Sequence, residues 1–456
     1  MDRKQSTGSH GLRHASLSGL EALAQSISSV APTAGPAILV PLVFALAGNG
    51  AWLSFLLATI AVFVVALNIS SFASYSASPG SLYAYTTSVF TGKGGELSAW
   101  SLLLAYAATA AAVTGGFVNY AGIVVTTLVG KSVPPLALAT LCLAIAIYVA
   151  WRDVKISARL MLWFEAVSVA LILLVVLLTL WKAGPHLDRK QWNLEGATGS
   201  GVRLGLVLAI FSFVGFESAT TLGDEAKNPL RNIPKAVLGS AVLAGAFFIL
   251  CAYTEVLGFG MAHIDLSQNT APMHVLAAVA GLPALAPVID IGAAISFFAC
   301  ALSCITAGAR VVLVMAHRGL APNQLTRVHA GNDTPHFAVV LVGIAAWVLT
   351  AALLIQGVTG ADVNGYMGTF ATYGFITAYA IVSVALPVHL HRHGHLRMKA
   401  IVTSTIAVLA MLAALVGSLI PVPPPPTNTF IWIFAAYLTA GFVWSLTRSK
   451  RNSNYV

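Results

Sequence analysis

The chain has 456 residues, of which 58% are hydrophobic and only 9% charged. A mean hydropathy of +0.85 leaves too little polar surface to cover a globule in water, which excludes a soluble domain and requires lipid as the solvent. The net charge of +9 raises the question of nucleic acid or an acidic partner, but its distribution along the chain makes it a topology signal instead.

Residues 1–19 are polar and read as a cytoplasmic tail. No cleavable targeting peptide is expected, because the first apolar run is longer than a secretory core and leads straight into a second span. Apolar segments then follow at 20–46, 52–75, 97–128, 133–150, 157–181, 204–222, 236–260, 284–316, 337–356, 366–387, 400–420 and 430–446. These are about twelve segments, most near the ~20 residues that a spanning helix needs. The expected class is an all-α integral membrane protein.

The first segment carries Pro32, Gly35 and Pro36 at its middle, flanked by Ser28, Ser29 and Thr33. Proline removes a backbone donor and clashes with the preceding turn, so this run is expected to unwind. Irregular backbone at that depth is tolerable where it is buried in protein or lines a cavity. A kink that only bends the helix is the competing account.

Residues 81–90, aromatic and small, read as an interfacial prelude to the third span, in which Asn119 and Tyr120 are candidate liners. Glu165, about two turns into the fifth span, is expected to reach the inner interface or pair with Arg159. The sixth segment holds Phe211, Phe213, Gly215 and Glu217, then leaves through the charged, proline-punctuated run 223–234. A carboxylate inside a span is by default a pathway, proton or ligand residue. Gly215 fits either close helix packing or unwinding.

Glu255 and Asp290 lie toward the outer ends of their spans and read as solvated end residues, and Tyr373 is a further candidate liner. Cys142, Cys251, Cys300 and Cys304 all lie in apolar segments, which argues against a disulfide framework or a zinc site. His389, His391, His393 and His395 form an alternating tract that reads as a basic anchor rather than a metal site. The proline-rich run 421–426 reads as a stiff turn between the last two helices.

Among the 24 Lys and Arg, the outer segments would hold only Lys131, Lys182, Arg189, Lys190 and Arg203, with Arg310 left at a helix end and the rest inside. That bias places both termini in the cytoplasm and the protein in the cytoplasmic membrane. Breaks in spans one and six suggest two five-helix halves, the second inverted, plus two additional helices. The expected boundaries are a tail at 1–19, a first repeat at 20–181, an extracytoplasmic loop at 182–203, a second repeat at 204–390, helices eleven and twelve at 391–447 and a tail at 448–456. Broken helices at matching repeat positions point to a midplane binding site, with half-helix N–H groups facing an anion and freed carbonyls a cation.

Three stretches carry a family resemblance. One is 211–234, with Phe-x-Gly-x-Glu at 213–217 and Glu-Ala-x-Asn-Pro-x-Arg-x-Ile-Pro at 225–234. Another is 308–322, where Arg310, Met315, Ala316, Gly319 and Pro322 fall in the spacing Arg-x-x-x-x-Met-Ala-Arg-Asp-Gly-x-x-Pro. The third is Pro-Gly-Ser-Leu-Tyr-Ala-Tyr at 79–85. Together they resemble the amino acid-polyamine-organocation superfamily, specifically its bacterial amino acid permeases. The resemblance covers nearly the whole chain.

It implies a LeuT-type fold and alternating access for amino acids or amines. It also implies that the backbone of Ser28, Ser29, Val30, Ala31, Thr33, Ala34 and Gly35, with Phe211, Phe213 and Gly215, holds the substrate. Phe211 would be an aromatic gate, although an ordinary packing aromatic also fits, and Glu217 a coupling residue behind the sixth span. The sequence departs from the family at 31–36, which lacks the usual Gly-Ser-Gly run. It departs again at Ile172, where many relatives carry a lysine, and at His317-Arg318-Gly319.

Burial would penalise the charged form of Glu217, so a proton could travel with substrate. A sodium site built from the Val30 and Ala31 carbonyls with Ser303 or Thr306 is the alternative. The expected function is import of a neutral or apolar amino acid, with a polyamine or amine carrier, an exchanger, or a non-transporting amino acid sensor as other readings. No enzyme chemistry, cofactor, metal or nucleic-acid partner is expected: the histidines show no ligand spacing and no glycine-rich phosphate loop occurs.

Overall fold

The computed structural model describes residues 10, 12, 15–90, 94–152, 154–184, 188–420 and 422–452. The two expected tails lie largely outside them, and so does the side chain of Arg159. Ser18 and Glu21 start the first helix with a reciprocal cap, Glu21 Oε2 accepting from the Ser18 amide at 2.7 Å and Ser18 Oγ from the Glu21 amide at 3.3 Å. The first span consists of α1 (Gly19–Val30) and α2 (Val40–Ala47), joined through a π-helical turn, Gly35–Leu39. The second is α3 (Ala51–Ala73). A short α4 (Ser81–Val89) precedes α5 (Glu96–Val129), α6 (Pro135–Arg152) and α7 (Val154–Ala183).

After α8 (Arg189–Trp192), the sixth span opens with α9 (Gly199–Phe211). Then come α10 (Pro229–Ala262), α11 (Pro272–Val279), α12 (Ala286–His317) and α13 (His336–Ile355). The chain continues with α14 (Gly360–Arg392), α15 (Met398–Gly417) and α16 (Phe430–Asn452). Among the described residues, ten helical stretches are long and apolar enough to cross a membrane. One of them, Gly19–Ala73, contains both the first and second expected spans, and the sixth is missing from the ten because its α-helix stops at Phe211 after 13 residues. The count of about twelve follows from these two facts.

The centre of the bundle is α5, which packs along α12 and α14. Its middle is almost all Ala, Gly and Thr, and small residues let backbones approach closely where lipid supplies no hydrophobic drive. A Cβ on Gly374 of α14 would stand 2.6 Å from Ser101 O of α5, so this contact tolerates no side chain.

Several polar residues stand where the sequence does not put them. Residues 81–89 form a buried helix rather than an interfacial prelude, with Tyr83 and Tyr85 at the core. Glu165 is buried against α12, accepting from Ser296 Oγ at 2.7 Å, instead of reaching the interface. Glu255 and Asp290 are also buried, not solvated. Arg310 is not a helix-end residue: it lies inside α12, 2% exposed, with Nε and Nη2 donating to the two carboxylate oxygens of Glu225 at 2.6 and 2.8 Å. His389 is half-buried against the rings of Phe72 and Tyr75, so the histidine tract is partly packed.

Ahead of α1, residues 15–17 add a short piece of parallel β-pairing to the exit of the sixth span. The Ser16 and Leu17 amides donate to Glu225 O at 2.7 and 2.8 Å, and the Lys227 amide donates to Leu17 O at 2.7 Å. His10 reaches Asp224 Oδ2 at 2.9 Å.

Candidate functional site

Each break has a local cause. Ala31 ends α1 in the left-handed region, φ 47°; it precedes Pro32, whose ring disfavours the α conformation at the residue before it. The Ala34 amide then bonds Ala31 O at 2.8 Å, a turn in place of the helical pairing. In the sixth span Gly215 adopts φ +93°, and a Cβ there would meet Ser29 Cβ at 2.5 Å. Both accounts of this glycine hold at once, since the backbone unwinds and presses on the first span.

The two breaks are stitched together. Ser218 Oγ donates to Gln25 O at 3.1 Å and the Ala219 amide donates to Ser26 Oγ at 3.1 Å. Glu217, fully buried, accepts from Tyr106 Oη of α5 at 2.7 Å and from Tyr379 Oη of α14 at 2.6 Å. The carboxylate therefore ties the irregular stretch to the two helices at the bundle centre.

Between the breaks lies a tight cleft with about 10 Å³ of open space, room for roughly one water, so the two breaks are closed on each other here. Of the residues expected at the site, Ser29, Val30, Ala31, Ala34 and Phe211 line it. Ser28, Thr33, Gly35, Phe213, Gly215 and Glu217 do not: Phe213 stacks edge-on to Phe248, and Gly35 abuts the same ring. Phe211 lies over Gly368 of α14.

Leu39, Thr109, Val113, Ser212, Val214, Cys300 and Asn364 complete the wall and were not expected. A polar residue inside a span is the signal that could have found Asn364. Thr109 Oγ1, Ser212 Oγ and Asn364 Oδ1 are buried without a hydrogen-bond partner among the described residues, so they are free to meet a polar solute. No Asp, Glu, Lys, Arg or His is among the lining residues.

The other suggested liners point elsewhere. Tyr120 Oη donates to Ala37 O at 2.7 Å, Asn119 bonds Thr270 O, and Tyr373 faces an apolar cavity bounded by α2, α9, α14 and α15. That cavity is larger, as is one between α1, α7 and α10, but neither is bounded by both breaks.

Of the suggested cation ligands, Ser303 is engaged, whereas Thr306 Oγ1 is buried without a hydrogen-bond partner among the described residues. Gln25 Nε2 donates to Ser303 Oγ at 2.8 Å and to Ser303 O at 3.2 Å, and Ser29 Oγ hydrogen bonds Ser303 Oγ. Arg310 Nη1 donates to Thr306 O at 2.9 Å, which brings a guanidinium to the same stretch of α12. Ile172 is buried in α7. Among the described residues, no group of three or more His, Cys, Asp or Glu could hold a metal ion.

The family model described as amino acid permease matches residues 17–443. The chain belongs to the amino acid permease family. The permease is 27% identical over 363 residues to the branched-chain amino acid permease BcaP of Bacillus subtilis (strain 168), covering 75% of this chain and 73% of that one. It is 26% identical to the methylthioribose transporter of the same organism, covering 77% and 76%. A third relative is cationic amino acid transporter 4 of Mus musculus, 26% identical, covering 75% of this chain and 54% of that one.

Among solved structures, MhsT in complex with L-phenylalanine matches with a TM-score of 0.61 at 15% identity, covering 89% of this chain and 100% of that one. A Na+-coupled sialic acid symporter in its substrate-bound outward-open state matches with a TM-score of 0.54 at 14% identity, covering 88% and 90%. The fold of the permease is thus of the LeuT type, with spans one and six discontinuous. It is a multi-pass membrane transporter.

Proposed function

We propose that the permease imports a neutral or apolar amino acid across the cytoplasmic membrane by alternating access, driven by protons. The cavity between the two breaks carries the reading: its wall combines apolar side chains with unpartnered Thr109, Ser212 and Asn364 oxygens and no charged group. A zwitterion can be met there by backbone, since α1 ends at the cavity with its negative dipole end and the turn after Gly35 begins with its positive one. The apolar wall of Val30, Val113, Phe211 and Val214 suits an apolar side chain.

Proton drive is favoured over sodium because, of the two hydroxyls suggested for a sodium site, Ser303 already serves Gln25 and Ser29, which leaves Thr306 Oγ1 alone without a partner among the described residues. The positive-inside bias orients both termini to the cytoplasm. Glu217, held between Tyr106 and Tyr379, is placed to bias the two states by gaining or losing a proton.

Uptake of labelled amino acids into proteoliposomes, with and without an inward proton gradient and with sodium absent, tests the reading. Gradient-driven accumulation of neutral amino acids supports it. Uptake only against preloaded amino acid makes the protein an exchanger, and a sodium requirement overturns the coupling.

A further inference from the structure

The end of the histidine tract borders a cavity that the site between the breaks does not use. There α3, α14 and α15 surround about 400 Å³ of open space, within the range of ligand pockets. Asn68 and Ser71 of α3 and Tyr75 of the turn after it, spaced as on one helix face, form one side. His395, Arg397 and Lys399 stand on the other.

The basic side has a local cause. Gly394 leaves α14 at φ +70°, and the His395 amide donates back to Leu390 O at 2.8 Å. The chain so turned stacks the His395 ring on that of Tyr75, with centroids 6.0 Å apart. Arg397 is the N-cap of α15 and its side chain makes no capping bond, so the first amides and positive dipole end of that helix join Arg397 and Lys399 at the cavity.

The walls supply no countercharge. No Asp or Glu occurs in residues 22–95 or 363–456, the two segments that contribute every lining residue. Asn68 is buried and donates through Nδ2 to Ser383 Oγ at 3.2 Å, while its Oδ1 has no partner among the described residues. A complementary ligand therefore carries an anionic group for the basic side and a hydroxyl donor for Asn68.

The outer face of α15 separates a lipid from a soluble anion. Met398, Val402, Ile406 and Leu409 are exposed and recur at i, i+4, i+8 and i+11, an apolar strip that starts beside the cavity and runs into the span. A free phosphate has no use for such a strip, whereas acyl chains lie along it.

We infer that this cavity binds the phosphodiester headgroup of an anionic phospholipid of the phosphatidylglycerol kind. The phosphate sits among His395, Arg397, Lys399 and the first amides of α15, and a headgroup hydroxyl meets Asn68. With the termini inside, as proposed above, the lipid belongs to the inner leaflet. It bridges α3 to α14 and α15, and so holds the second span against the tenth and eleventh.

Short-chain phosphatidylglycerol, short-chain phosphatidylcholine and inorganic phosphate are titrated separately into the purified full chain in a neutral detergent, with the melting temperature as readout. Phosphatidylglycerol is expected to raise it saturably, and the other two to leave it unchanged at the same concentrations. In the double variant Arg397→Gln, Lys399→Gln the lipid should bind roughly 30-fold more weakly, from about fivefold for each basic residue at a membrane surface. Its melting temperature without lipid should be parental, because both side chains are exposed and face no carboxylate from the walls. Arg397→Lys keeps the charge and should bind close to the parent.

Equal stabilisation by inorganic phosphate makes the ligand a soluble anion and overturns the lipid, and equal stabilisation by phosphatidylcholine shows that the charge is not read. Parental affinity in the double variant places the lipid elsewhere. If that variant melts lower without lipid, Lys399→Gln alone is compared, and parental affinity there overturns the site as well. These readouts need no transport, so their failure leaves the proposed function standing.

Discussion

Gly215→Ala tests the geometry of the sixth-span break directly. At φ +93° an L residue is strained by about 1–2 kcal/mol. The new methyl would also stand 2.5 Å from Ser29 Cβ and 3.0 Å from Ser29 O, a carbonyl that accepts from Cys300 Sγ at 3.2 Å. Forcing a methylene-sized group into such packing costs a further ~1–3 kcal/mol, so the expected loss is about 2–5 kcal/mol. Unfolding of the purified protein in a denaturing-detergent titration reads the stability, and uptake into proteoliposomes reads the site. Gly122→Ala, where nothing lies within 4 Å, is the control and should cost nothing. Parental stability and uptake for Gly215→Ala would show that the break does not need this conformation.

Glu217→Gln should keep the fold and weaken it by about 1–3 kcal/mol, since the amide offers one tyrosine a neutral acceptor and turns an NH2 donor toward the other; uptake should lose its pH dependence, and an unchanged profile removes the proton role from this residue. Arg310→Met strips the buried partner of Glu225 and should cost about 3–5 kcal/mol, read by the same titration. The double variant Arg310→Met, Glu225→Gln should recover part of that loss. Asn364→Ala removes a free oxygen from the cavity wall while its side chain also holds Ala112 O at 3.0 Å, so the KM for uptake should rise with the protein still folded; an unaltered KM takes Asn364 out of the site.

The helix breaks were legible because proline and glycine act locally: Pro32 disfavours an α-helical Ala31, and the 211–217 run carries its own glycine and carboxylate. Five of the expected residues reach the cavity wall. Which way a residue of an irregular segment points depends on partners far along the chain, and for that reason the sequence does not show that Thr33 and Phe213 lie outside the cleft wall. Thr109, Cys300 and Asn364 sit in helices whose all-round apolar character hides any facing direction. Distance from a helix end also misled for Asp290 and Glu255, because α11 folds back over the ends of α10 and α12 and covers them.

The β-pairing of residues 15–17 with the exit of the sixth span bears on how shortened or tagged forms behave. Deletion through Leu17 would remove the amides that occupy Glu225 O and the acceptor for Lys227, next to the carboxylate that neutralises Arg310. Trimmed proteins are therefore expected to lose backbone support at the exit of the sixth span, and their transport rates need comparison with those of the untrimmed chain.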